Sequence, residues 1–305
     1  MKMVPRYLVM LAAYNGRQWI AEQVDSILDQ EGVAVTLLIS VDTSIDGTEQ
    51  WVSDRAASDA RVQYLPHGEK FGGAARNFFR LIKEAPKGDF DYFAFADQDD
   101  IWLPRKLLQA ANVIVERGAD GYSGNVTAFW PEGRERVIVK SQPQVEYDHL
   151  FEAAGPGCTY VFSRSLFCQL QAHLLEKFVS VQDVTLHDWY CYAFSRTHGF
   201  KWEIDSNSYM RYRQHANNQV GVNSGLKAFR ARLAKVFDGW WLSQSLLIST
   251  LVGVRDTPFV RSWSNLRRVD LARLALAGFK CRRRLRDKFV FTGLCLTLVI
   301  LRQTK

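Results

Sequence analysis

The 305-residue chain is 47% hydrophobic and 23% charged, a balance that fits a folded globular protein and excludes long disordered, fibrous or low-complexity segments. That length supports one large domain or one domain with an appendage, and the second is favoured. The formal charge of +7 admits an acidic partner, but base is concentrated late in the chain. Arg255, Arg261, Arg267, Arg268 and Arg273 lead into Lys280, Arg282, Arg283, Arg284, Arg286 and Lys288, so the excess belongs to the C-terminal part. Five cysteines, an odd number without a C-x-x-C pair, point to neither a zinc site nor a disulfide framework and fit a reducing cytosol. The start of the chain lacks a charged-then-apolar signal layout, so no secretion is expected.

Tyr7 to Ala13 (YLVMLAA) is a continuous apolar run, which at that length predicts a fully buried parallel strand. Trp19 to Gln30 follows with Ile20, Val24, Ile27 and Leu28 at helical spacing, and Gly32 ends it. The pattern repeats with a strand over Thr36 to Val41, a turn at Asp46-Gly47 and a helix through Trp51. A strand over Arg61 to Leu65, a helix over Ala74 to Glu84 and a strand over Tyr92 to Ala96 come next. Alternating strands and helices predict an α/β fold with a mostly parallel sheet flanked by helices. Ligands bind such sheets at the carboxyl ends of the strands, which gathers Tyr14-Asn15-Gly16, Asp42 and Asp97 to Asp100 along one edge.

Gly121 to about Tyr147 is irregular and partly strand-like, and from Leu226 the pattern turns helical and basic. A boundary near 225 is expected, giving a first domain over 1–225 and a helical extension over 226–305. The last apolar run, Phe289 to Leu301, is shorter than the roughly 20 residues needed to cross a bilayer. Following the basic cluster Lys280 to Lys288, it suits a helix lying on an anionic membrane surface through 280–301, with Phe289, Phe291, Leu294 and Leu298 inward. The alternative is a terminal helix packed on its own domain.

Phe93-Ala94-Phe95-Ala96 delivers Asp97, Gln98, Asp99 and Asp100 to a single loop. Crowded like charges are costly without a cation, and hard oxygen ligands select Mg²⁺ or Mn²⁺, whose shell substrate phosphates and water complete. Acidic loops are also often merely solvated. Arg76 and Asn77 follow Gly72-Gly73 and are placed to face a bound donor. A G-x-x-x-x-G-K-[ST] phosphate loop is missing.

Six segments occur in an order that resembles family 2 glycosyltransferases of the GT-A fold, most closely bacterial rhamnosyltransferases of polysaccharide assembly. They are LAAYNGRQWIAEQVDSILDQ at 11–30, DTSIDGT at 42–48, ARNFFRLI at 75–82, FADQDDIWLPRKL at 95–107, HDWYCYAFSRTHG at 187–199 and YRQHANNQVG at 212–221. The resemblance spans residue 7 to about 221. It implies that Ala13 and Tyr14 line the nucleobase pocket, Asp42 accepts from the pyrimidine imide, and Asp97, with Gln98 beside it, lies near the ribose. Asp99 is implied as the metal ligand, with Asp100 bracing the loop. Family members usually carry two aspartates and a glycine where this chain has Val41, Asp42 and Thr43.

The resemblance further implies that Asp188, at the start of a helix, is the base that takes the acceptor hydroxyl proton. It also implies that His215 and Arg213 contact the metal or diphosphate. An ordinary turn cap for Asp42, a helix-dipole carboxylate for Asp188 and a structural role for His215 remain open on sequence alone. Trp189 fits either a floor for the acceptor sugar or the core.

The implied activity is an inverting, metal-dependent transfer of a sugar, L-rhamnose from dTDP-rhamnose, to a lipid-linked glycan acceptor at the inner face of the cytoplasmic membrane, the enzyme being cytoplasmic and peripheral. The same chemistry with a UDP-hexose donor is the alternative. A nucleotidyltransferase would need a glycine-rich basic loop after the first strand, which Tyr14-Asn15-Gly16-Arg17 does not supply. Nucleic acid is not expected, because stacking aromatics are sparse among the tail's basic residues.

Overall fold

The computed structural model describes residues 4–215 and 239–301; the expected boundary near 225 lies outside them. Strands β1 (Arg6–Ala13), β2 (Ala34–Val41), β3 (Val62–Tyr64) and β4 (Tyr92–Asp97) form one half of a single sheet in the order β3-β2-β1-β4, all parallel. Helices α1 (Ile20–Leu28), α2 (Thr48–Ser58) and α3 (Ala74–Glu84) connect them. All of β1 after Arg6 is buried, because both of its faces are covered. Tyr7, Val9, Leu11 and Ala13 pack with α1 and with α4 (Lys106–Arg117). Leu8, Met10 and Ala12 pack on the other face, with Phe78, Phe79 and Leu81 of α3. The two-residue side-chain period of a strand sorts them this way.

The other half adds antiparallel pairs to the expected mostly parallel sheet. β5 (Ile101–Trp102), β6 (Gly121–Phe129), β7 (Glu135–Ile138), β8 (Val161–Ser163) and β9 (Trp202–Arg213) continue it, and only β6 and β9 pair in parallel there. Between β8 and β9 run α5 (Arg164–Glu176), α6 (Phe178–Val181) and α7 (His187–Thr197).

The expected C-terminal helices form as α8 (Trp240–Leu251), α9 (Pro258–Arg261), α10 (Arg268–Leu276), α11 (Gly278–Cys281) and α12 (Leu285–Leu301). Ile248 and Leu251 of α8 join the core against α5 and α7. The later helices build a smaller core around Leu150 and Phe151. A buried ionic knot ties this arm to the sheet domain. Asp148, fully buried, accepts from Tyr192 Oη at 2.8 Å, Arg283 at 2.9 Å and Arg196 at 3.2 Å. Arg283 also donates from its backbone to Glu152 and from its guanidinium to the Ala153 carbonyl, both at 2.7 Å.

On α12 the inward stripe is Phe291, Cys295 and Leu298, which fill the smaller core. Phe291 and Leu298 are therefore not available to a membrane, contrary to expectation. The open side carries Leu285, Phe289, Val290, Leu296 and Ile300, so the helix is apolar on both sides. No helix among the described residues is long and apolar enough to cross a membrane.

Removing one member of a buried ion pair strands its partner at a cost of about 3–5 kcal/mol. Asp148→Ala, which strands Arg196 and Arg283 together, is expected to lower stability by about that amount, read as a fall in the urea midpoint.

Candidate functional site

Parallel registry decides what meets at the edge of the sheet. Ala13 pairs with Val41 and Ala12 with Asp97, so the residues leaving β1, β2 and β4 emerge side by side. The Tyr14 N–H donates to Gln98 Oε1 at 2.7 Å and Gln98 Nε2 donates to the Tyr14 carbonyl at 2.9 Å. Both ends of the Gln98 amide are thereby engaged, so Gln98, expected near the ribose, braces the 14–16 turn. Gly16 is required there, because a Cβ would lie 2.0 Å from Gln98 Oε1. Asn15 N donates to Ser44 Oγ and Ile45 N to Asn15 Oδ1, each at 2.9 Å. The backbone is locked while the Tyr14 ring stays 56% exposed, an open aromatic face.

Asp42 is buried and takes the N–H groups of Phe71 and Gly72, one on each oxygen, both at 2.9 Å. An ionised carboxylate has about four lone-pair sites, so capacity for a ligand N–H remains. Asn77 Nδ2 donates to the Ala13 carbonyl at 3.3 Å and the Ser40 carbonyl at 3.0 Å; Arg80 donates to Ser40 Oγ at 3.2 Å and the Pro66 carbonyl at 2.7 Å. Arg76, expected to face the donor, is exposed and gives its Nε to the Gln182 carbonyl at 3.0 Å. Along α3, Asn77 and Arg80 are buried whereas Arg76 is not.

The carboxylates behind β4 are crowded. Burial first, then Asp99 and Asp188, pushes the Asp97 carboxyl up to about 7. Asp100, fully buried, is raised well above the carboxylate range by burial and then by Asp99 and Asp97. Its Oδ1 accepts from Arg213 N at 3.2 Å, and its Oδ2 has no hydrogen-bond partner among the described residues. Donor atoms of Asp97, Asp100 and Cys158 lie within 4.8 Å of one another. Burial pushes the Cys158 thiol up, so it stays protonated beside the Asp97 and Asp100 carboxyls. Below them Lys106 is buried with its Nζ 3.5 Å from the Trp102 ring centroid, and burial draws its ammonium down to about 7.

Asp99 Oδ2 and His215 Nε2 are 2.6 Å apart, and the imidazole stacks on Trp19 at 4.0 Å. Arg213, expected on a phosphate, donates its Nε to the Asp99 carbonyl at 2.8 Å and pairs with Glu22. A carboxylate and an imidazole in direct contact, backed by crowded buried carboxyls, are a donor set that fits a divalent cation of the Mg²⁺ or Mn²⁺ class.

Asp188 stands at the first turn of α7, its Oδ1 accepting from Trp189 N at 2.8 Å. Burial raises its carboxyl to about 6, with the Trp189 amide and Lys140 opposing. Gly157 lets α7 approach the end of β4: a Cβ there would meet His187 Nε2 at 2.6 Å and Asp188 Cβ at 3.3 Å. Trp189 itself is buried and donates from Nε1 to the His149 carbonyl at 2.9 Å, which places it in the core and not under a sugar. Arg80, Lys106, Cys158 and Gly157 carry no sequence signal that marked them, although Arg80 sits one turn beyond Asn77.

Residues 8–166 match the family model for glycosyl transferase family 2. The chain is 39% identical to the dTDP-rhamnosyl transferase RfbG of Shigella flexneri, across 91% of this chain and 96% of that protein. It is 30% identical to an Escherichia coli UDP-Glc:alpha-D-GlcNAc-diphosphoundecaprenol beta-1,3-glucosyltransferase, WfgD, across 52% of this chain and 60% of that one. Among solved structures, Staphylococcus aureus TarS 1-349 in complex with UDP superposes with a TM-score of 0.56 at 14% identity, covering 97% of this chain and 90% of that one. With this fold and these matches, the chain belongs to glycosyl transferase family 2 and is a glycosyltransferase of the GT-A fold.

Proposed function

We propose that the chain transfers L-rhamnose from dTDP-rhamnose to a hydroxyl of a lipid-linked saccharide, with inversion at the anomeric carbon. The observation that carries this reading is the approach of Asp188 to the Asp97–Asp99 loop around Gly157, which sets a base beside a nucleotide-binding edge. The identity to a dTDP-rhamnosyl transferase over nearly the full chain favours the rhamnose donor. Tyr14 stacks the base, Asp42 receives its imide N–H through its remaining lone pairs, and Asp97 receives a ribose hydroxyl. Asp99 and His215 would hold a divalent ion, which when bound would supply positive charge against the departing diphosphate. Asp188 takes the proton of the acceptor hydroxyl as that oxygen bonds to the anomeric carbon and the bond to the nucleoside diphosphate breaks on the opposite face.

In a purified assay with Mn²⁺ and a panel of nucleotide-sugars, dTDP-rhamnose is expected to release dTDP. Release from a UDP-hexose alone would reassign the donor. Asp188→Asn should cut transfer by about 10²–10⁴-fold with donor binding retained. Asp99→Asn should weaken metal-supported donor binding itself. Full activity in either variant removes the assigned role.

The pH dependence has a definite sign. Asp188, raised to about 6 by burial, is protonated and unable to accept a proton below that value. Turnover should climb with pH through about 6 and level off above it. A flat profile between about pH 5 and about pH 7 would contradict Asp188 as base.

The proposed site of action is an anionic membrane surface. The open stripe of α12, with Phe289 61% and Ile300 76% exposed, follows Arg284, Arg286 and Lys288 directly, a basic-then-apolar order suited to a headgroup layer. The protein should co-sediment with phosphatidylglycerol vesicles, and Phe289→Glu with Ile300→Glu should abolish this. Equal sedimentation of the double variant would show that α12 is not the contact.

A further inference from the structure

Asp188 has a cationic neighbour that the transfer chemistry leaves unused. Lys140 follows β7, and its N–H donates to Asn125 Oδ1 at 2.6 Å, while Asn125 Nδ2 donates to the Ser206 carbonyl at 2.7 Å. Position 140 is thus pinned to β6 and β9. Its stem runs beside the segment that leads into the Asp188 wall: a Cβ on Gly155 would lie 3.7 Å from Lys140 Cβ, and two residues on, Gly157 meets Asp188 Cβ. The ammonium comes close enough for its charge to draw the Asp188 carboxyl downward.

The carboxylates around Lys140 are already committed. Glu152 accepts from Arg283 N at 2.7 Å and faces the guanidiniums of Arg282 at 3.5 Å and Arg283 at 3.7 Å. Asp287 faces Arg286 at 3.2 Å and Arg282 at 3.9 Å, and Asp148 lies in the buried knot with Arg196 and Arg283. Lys140, Arg196, Arg282, Arg283 and Arg286 therefore outnumber Asp148, Glu152, Asp287 and Asp188 by a single charge. Lys140 is the exposed member whose Nζ makes no ion pair or hydrogen bond among the described residues. Burial of its stem lowers its pKa, Glu152 opposes this, and Arg283 and Arg282 add to the fall. An incoming oxyanion would relieve that surplus.

With Asp188 read as the base, Lys140 offers an exposed ammonium on a pinned backbone to the acceptor that approaches it. We propose that Lys140 is the anion anchor of the acceptor site and takes a phosphate oxygen of a diphosphate-linked acceptor. This rests on the reading of Asp188 as the base of glycosyl transfer. A lipid headgroup offers the same oxygen chemistry, so the test separates the two sources.

Two synthetic acceptors carrying the same glycan, one on a diphosphate-linked alkyl chain and one on an uncharged alkyl chain, are compared in neutral detergent micelles. The full-length enzyme is expected to show a lower KM for the diphosphate acceptor. Lys140→Met should raise that KM about tenfold with kcat and the donor KM much less affected, and Lys140→Arg should recover most of the loss. An equal rise for both acceptors, or a fall in kcat alone, would make Lys140 structural or a modulator of Asp188 and overturn the proposal. Absence of any preference for the diphosphate acceptor would overturn it too. If in addition Lys140→Met weakened binding to phosphatidylglycerol over phosphatidylcholine vesicles, the phosphate would be a headgroup's. Failure of the underlying reading looks different, since the unmodified enzyme would then transfer to neither acceptor.

Discussion

Repulsion among carboxylates governs the whole cleft. Asp97, Asp99, Asp100 and Asp188 converge where the sheet edge and the start of α7 exclude most water, and burial first, then their mutual charge, raises the carboxyls of Asp97 and Asp100. Such an arrangement persists only if the surroundings compensate it. The protein answers with neutral donors and distant cations instead of a direct arginine salt bridge to each acid. A protonated Cys158 thiol lies beside Asp97 and Asp100, Arg213 gives its backbone N–H to Asp100, and Lys106 lies beneath with its own charge disfavoured by burial. The residual demand for positive charge falls at Asp99 and His215, at the mouth of the site, where a divalent ion can meet it.

The frame that imposes this crowding is the parallel half of the sheet. Because β1 pairs in register with both β2 and β4, the chain leaves all three strands at one level and the loops that follow must share one space. Side-chain to backbone bonds settle their shapes: Gln98 on Tyr14, Asn15 on Ile45, Asp42 on Phe71 and Gly72. Each uses a polar side chain to fix backbone that no helix or strand satisfies. The open functional groups that remain, the Tyr14 ring and the outer lone pairs of Asp42, are left to a ligand by elimination of the rest.

Much of this was readable beforehand, and the failures have physical causes. The strands of the parallel half announce themselves as unbroken apolar runs, since both faces are buried, and helix α3 was bounded to the residue. The antiparallel half was not readable, because β5 and β8 are two and three residues long and too short to show a period. Asp99 and His215, 116 residues apart, could be paired only through the family resemblance. Arg76 and Asn77 follow Gly72-Gly73 alike, yet only Asn77 reaches the strand ends, at the Ala13 and Ser40 carbonyls. Cys158 and Lys106 escaped notice since nothing local marks a thiol or an ammonium as buried beneath a carboxylate loop. On α12 the apolar residues run all round the helix, so sequence could not say which stripe faces the domain.

That last ambiguity has a structural meaning. A helix apolar on both sides has two partners to satisfy, and its inner stripe is satisfied by Phe151 and the small core around it. Phe151 is followed by Glu152 and Ala153, both held by Arg283, and by the turn through Gly155 and Gly157 that borders Lys140 and Asp188. The arm is therefore continuous, through buried contacts, with the wall beside the base. Asp148 strengthens the link because the same carboxylate takes Arg283 from the arm and Arg196 and Tyr192 from α7. The arm and the C-terminal half of α7 share a carboxylate that cannot leave its partners without exposing buried charge. The α12 arm and the helix that carries Asp188 are thereby held by one ionic knot.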